Sequence, residues 1–137
     1  MSGTTVISNA LQFTNDNKHA YAFSGIVDVN NSETQLLLLN TQSEYLLAKL
    51  TVLQGTTSNE DFLYKVFFND IAVAQWHCLQ VTDKESNMPN FYNLIIPPFT
   101  TVKVTGQNTS SATNRNHSAT LTAKVGMPQR IGNFVNE

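Results

Sequence analysis

Phe62-Leu63-Tyr64-Lys65-Val66-Phe67-Phe68, then Asn69-Asp70, then Ile71-Ala72-Val73-Ala74-Gln75-Trp76-His77-Cys78-Leu79, is the stretch whose reading decides the fold. Two extended, aromatic and β-branched runs flank two residues that tolerate left-handed backbone geometry. That arrangement predicts a tight antiparallel hairpin. Toward the N-terminus, Tyr21, Phe23, Gly25, Val27 and Val29 alternate with Ala20, Ala22, Ser24, Ile26 and Asp28, which predicts one half-buried strand. Asn30-Asn31-Ser32 turns the chain into Gln35-Leu36-Leu37-Leu38-Leu39, a run short enough for a strand buried on both faces. From Tyr45 to Leu53, Leu46, Ala48, Leu50 and Val52 share one face, and Gln54 to Asn59 ends the run.

Toward the C-terminus, Thr82 to Asn90 reads as a polar loop and Asn93 to Ile96 as a strand. Pro97-Pro98 follows, and adjacent prolines belong at an edge, a bend or a crossing between sheets because neither donates to a ladder. Thr100 to Thr105 and Ser118 to Val125 supply the last strands, separated by a polar loop from Gly106 to Asn116. Several short strands with almost no helical periodicity predict an all-β fold, a two-sheet antiparallel β-sandwich of jelly-roll type. The domain spans residues 20–126, with extended arms at 1–19 and 127–137. Val6, Ile7, Leu11 and Phe13 in the first arm, and Ile131, Phe134 and Val135 in the second, are apolar residues in polar surroundings. They are candidates for burial in a neighbouring subunit.

Composition narrows the function. The chain has 137 residues, enough for one domain, with 41% hydrophobic and only 13% charged residues. A net charge of −2, with the eight basic residues scattered singly, gives no footprint for nucleic acid. No apolar run reaches membrane-span length and the first residues lack a signal-peptide pattern, so no membrane partner is expected and synthesis in a cytoplasm is. The single cysteine, Cys78, has no internal disulfide partner.

Catalytic motifs are missing. His19, His77 and His117 are the only histidines and show no metal-ligand spacing, so neither a metal nor another cofactor is expected. Cys78 sits among apolar strand residues, where a thiol is usually inert. Glu60-Asp61 and Asp83/Glu85 read as solvated loop carboxylates, and no phosphate-cradling loop or nucleophile elbow occurs. The expectation is a protein that is not an enzyme. A glycan-binding alternative rests on Asp83 with Asn90-Phe91-Tyr92, where aromatic rings could stack on a sugar while amides bond its hydroxyls. It requires the Asp83–Tyr92 and Gly106–Asn116 loops to lie at one end of the sandwich.

The run Asn93-Leu94-Ile95-Ile96-Pro97-Pro98-Phe99-Thr100-Thr101-Val102-Lys103-Val104, with the Phe68–Val73 hairpin and the closing Ser118–Val125, resembles small β-sandwich structural proteins of bacteriophages, nearest to capsid decoration, or cement, proteins. The resemblance covers roughly residues 20–126 and transfers no individual residue's role. It implies a protein on the exterior of a virion, often a homotrimer, that bridges subunits of the major capsid protein and stabilises the assembled shell.

Overall fold

The computed structural model describes residues 11–54, 60–78 and 90–126. Its elements are β1 (Gln12–Phe13), β2 (His19–Phe23), β3 (Val27–Val29), β4 (Thr34–Asn40), β5 (Leu46–Gln54), β6 (Phe62–Phe68), β7 (Ile71–Cys78), β8 (Asn90–Ile96), β9 (Thr101–Asn108) and β10 (Arg115–Val125). They form two sheets, one in the order β1-β2-β10-β5-β8 with β3 also on β10, the other in the order β4-β9-β6-β7. Every pairing is antiparallel. From β3 to β6, and again from β7 to β10, each connection passes from one sheet to the other. A β-sandwich with this strand order is a jelly roll.

The hairpin of β6 and β7 forms as the sequence dictates. Asn69 and Asp70 take φ of 51° and 71°, the pair of left-handed residues whose twist matches antiparallel strands. Pro97 and Pro98 lie at a crossing, between β8 of the first sheet and β9 of the second. The core lies between the sheets, where Leu39, Leu46, Leu50, Val52, Phe62, Tyr64, Val66, Ile96, Val102, Val104, Ala119 and Leu121 are all buried. Each valine, leucine, isoleucine or phenylalanine among them contributes about 1.5–3 kcal/mol through removal from water.

Three expectations are corrected. The first strand is not continuous, because Ser24, Gly25 and Ile26 separate β2 from β3. Phe23 lies opposite Thr120 and Val27 opposite His117, so four steps on one strand match three on the other. One extra residue reverses the alternation. Ala20 and Ala22 face inward before it, Val29 after it, and Tyr21 and Phe23 are left outside. Gly25, at φ 74°, supplies the left-handed residue this kink requires, and Ser24 holds it by hydrogen bonds to both the N–H and the carbonyl of Ala119.

The leucine run is the second. It forms β4, an edge strand, and is not buried on both faces. A register shift between Gln35 and Leu37 turns Leu36 and Leu37 both into the core, with Leu39, while Leu38 stays half-buried on the outside. The third concerns the first arm. Leu11 is buried in the chain's own core and Phe13, half-buried, packs against it, with β1 paired to β2, so both find apolar partners within the chain. Val6, Ile7, Ile131, Phe134 and Val135 lie outside the described residues.

Candidate functional site

Strand register places the histidines far apart. His19 is exposed on the outside of the first sheet, His77 is exposed on the second, and His117 is fully buried. The His117 ring is held at both nitrogens. Nδ1 lies 3.1 Å from the carbonyl oxygen of Arg115, which only accepts, so Nδ1 carries the proton. Nε2 therefore accepts the hydroxyl of Tyr64 at 2.8 Å. Burial lowers the histidine pKa and raises that of the tyrosine, keeping both groups neutral. Phe62 stands edge-on to the imidazole, 4.6 Å between centroids. This is a satisfied interior pair, with no lone pair or proton turned toward solvent.

Glu60 is equally engaged. The Arg115 guanidinium grips both its oxygens, at 2.8 and 3.2 Å, while Asn108 and Ser111 donate to them. The charge-assisted bond from Arg115 holds the Glu60 carboxyl down at about 2, far below the usual range for a general acid. Asn108 Oδ1 accepts the N–H groups of Ser110 and Ser111, which fixes the loop between β9 and β10. Gly106 to Asn108, expected in that loop, belong to β9. Among the described residues no group of three or more His, Cys, Asp or Glu could hold a metal ion.

Of the sugar-binding cluster, the two aromatic residues are placed on opposite sides of their strand. Phe91 and Tyr92 are consecutive residues of β8, so their side chains point to opposite faces. Phe91 is 57% exposed, with the Lys49 ammonium 4.4 Å from its ring centre. Tyr92 turns inward and stacks on Trp76, 5.0 Å between centroids. They cannot form one platform, and alternation alone could have shown this had the strand start been placed at Asn90. Asp83 lies outside the described residues.

What the sequence did not disclose is the outer face of the first sheet. Cross-strand pairing sets His19, Lys124, Leu47 and Ile95 in one row, Tyr21, Thr122, Lys49 and Asn93 in the next, and Phe23, Thr120, Thr51 and Phe91 in a third, with Leu53 beyond. Tyr21, Phe23, Leu53, Phe91 and Ile95 are exposed by 50, 59, 38, 57 and 52%. Threonines run down the middle. A shallow groove of about 630 Å³ crosses the face, lined by His19, Leu47, Lys49, Asn93, Ile95 and Lys124. The reversal at Ser24–Ile26 adds Tyr21 and Phe23 to this surface, since it puts them outside and alanines inside.

No family model matches the chain, and no curated protein does. Among solved structures it is similar to a chain of the infectious bursal disease virus Gx strain, with TM-score 0.47 and 13% identity over 79% of this chain and 33% of that one. It is similar to the infectious bursal disease virus VP2 subviral particle, with TM-score 0.47 and 13% identity over 83% of this chain and 34% of the other. A third is the insecticidal delta-endotoxin Cry8Ea1 of Bacillus thuringiensis, with TM-score 0.39 and 12% identity over 78% of this chain and 18% of that one. The chain thus spans about a third or less of the length of each of these proteins.

Proposed function

We propose that this chain is a non-enzymatic virion structural protein, a decoration module that seats on the exterior of an assembled shell and stabilises it by contact with the major capsid protein. The observation that carries the reading is the outer face of the first sheet, where the exposed Tyr21, Phe23, Leu53, Phe91 and Ile95 share one surface with Thr51, Thr120 and Thr122 and with the cations Lys49 and Lys124. Large apolar side chains gathered in the open on one sheet face are a usual mark of a protein-binding surface. The engagement of His117 and Glu60 in internal bonds supports a role without catalysis. Neither nucleic acid nor membrane belongs to this reading, whose charge is low and scattered.

The test is co-sedimentation with purified shells of the parent virus. Wild-type protein pellets with the shells, and Phe23→Lys, which replaces an exposed aromatic of this face with a charge without touching the core, stays in the supernatant. A wild-type chain that ignores shells would sink the proposal. Loss of pelleting by Leu53→Lys as well, with His77→Lys on the opposite face still bound, localises the contact to this sheet.

A further inference from the structure

The edges of the two sheets are unequal, and the inequality points to a second copy of the chain. β1 has only two residues and β3 three, too short to template another strand. β4 is interrupted by its register shift at Leu36, and β7 by another opposite Val66 and Phe67. β8 has none of these guards. Its seven residues, Asn90-Phe91-Tyr92-Asn93-Leu94-Ile95-Ile96, contain no charge, glycine or proline. They pair without a break from Val52↔Asn90 to Leu46↔Ile96. Nothing among the described residues pairs with the other side of the strand. Natural sheets rarely leave a regular, uncharged edge of this length unless another strand meets it.

We propose that two copies of the chain join edge to edge through β8, antiparallel and centred on Asn93, to make one continuous sheet across a two-fold axis. The register is self-complementary. A two-fold at Asn93 sets Phe91 of one copy opposite Ile95 of the other and Ile95 opposite Phe91, so each copy's two exposed apolar residues on this strand meet an aromatic–β-branched partner. The two Asn93 side chains meet at the axis and bond amide to amide. Tyr92 and Leu94, already packed against the core, continue it across the junction. Because Trp76 of β7 stacks on Tyr92, both sheets reach this flank and the contact is two sheets thick.

The size is adequate. Seven residues give an edge about 24 Å long, and two sheets about 10 Å apart with their side chains make the flank about 20 Å thick. Such a flank covers roughly 500 Å² on each copy, about the 1,000 Å² in total at which specific interfaces begin. A two-fold replaces the threefold expected from the resemblance to decoration proteins. The inference does not rest on shell binding, although a dimer would set two outer faces side by side and strengthen such binding through avidity.

Light scattering on the full chain tests it. The expected result is a mass that rises with concentration from one chain to two and stops there. Ile95→Lys places a charge on the edge while leaving the core untouched, and it should weaken the dimer by about tenfold or more. Tyr21→Lys, equally exposed on the same sheet but far from β8, should dimerise as wild type does. Asn93→Cys should give a disulfide-linked dimer under mild oxidation, because opposed strand residues lie within bridging distance; the wild-type chain, with Cys78 alone, should not. A monomer at all concentrations up to about 1 mM, a trimer, or a dimer that survives Ile95→Lys and fails to cross-link through residue 93 overturns the proposal.

Discussion

The hydroxyl of Tyr64 donates to Nε2 of His117 across 2.8 Å in the interior of the sandwich, joining β6 of one sheet to β10 of the other. It is a polar tie through an apolar core. Removing the hydroxyl leaves the imidazole nitrogen buried with nothing to accept. Tyr64→Phe should therefore cost about 1–3 kcal/mol in a urea melt, whereas replacing both partners, Tyr64→Phe with His117→Phe, should recover part of that loss. An additive double mutant would show that the pair contributes no coupling.

The same pair sets an acid limit. The folded His117 has its pKa lowered by burial, so the unfolded chain binds the extra proton first. Stability is complete above the ordinary histidine value of 6.5 and falls as pH drops below it. Chemical melts between pH 8 and about 5 should show this slope in wild type and lose most of it in His117→Phe. An unchanged slope would assign the proton uptake to another group.

Glu60 governs a lower window. Its carboxyl, held at about 2 against 4.5 for a free glutamate, contributes stability that is full above 4.5 and lost as pH falls from there toward 2. Glu60→Ala removes the anchor for Arg115, Asn108 and Ser111 and should cost about 2 kcal/mol at neutral pH. The variant should also lose the stability slope expected of wild type as pH falls below 4.5. Melts at neutral and acid pH check both parts together, since a merely structural loss would lower the curve without changing its pH dependence.

The local features were legible in the sequence and the non-local ones were not. Asn69-Asp70 announced its turn because two adjacent residues favouring left-handed backbone between β-forming runs have one common solution. The prolines announced an edge, a bend or a crossing because they lack N–H donors, and the crossing is the one the fold uses. The kink at Ser24–Ile26 was hidden, since a single inserted residue leaves alternation on each side intact while exchanging the faces. Partners such as Tyr64 and His117, or Glu60 and Arg115, stand more than fifty positions apart and meet only through sheet pairing. The outward placement of Tyr21 and Phe23 followed from the kink, so reading that half of the face depended on finding the insertion.

Gly25 tests that account of the kink. A Cβ at this position meets nothing within 4 Å, so an added methyl has room and the penalty is purely one of backbone conformation. Gly25→Ala should cost about 1 kcal/mol, the lower end of the left-handed penalty for an L-residue, and Gly25→Asn should cost less because asparagine enters that region more readily. Equal melting of wild type and Gly25→Ala would mean that the kink relaxes to another geometry.

Phe99 is the converse case. It follows Pro98 in the turn between β8 and β9, where it takes φ of 55° with 75% of its surface exposed. A proline followed by a left-handed residue is a turn position that favours glycine or asparagine, and a bulky side chain is strained there. The backbone is held because the Phe99 N–H donates to the Gln42 carbonyl and Thr41 brackets the next residue through both backbone and side-chain bonds. Phe99→Asn should therefore stabilise the fold by about 0.5–1 kcal/mol, since it relieves the strain without the unfolded-state entropy that glycine adds. Denaturant midpoints for Phe99→Asn and Phe99→Gly give the two contributions separately. Phe99 stands at the end of the sandwich and outside the Tyr21, Phe23, Leu53 face, so the stabilised variant should still pellet with shells. If it does not, the contact lies at that end of the molecule, and the exposed ring explains why a strained residue stands where asparagine would fit better.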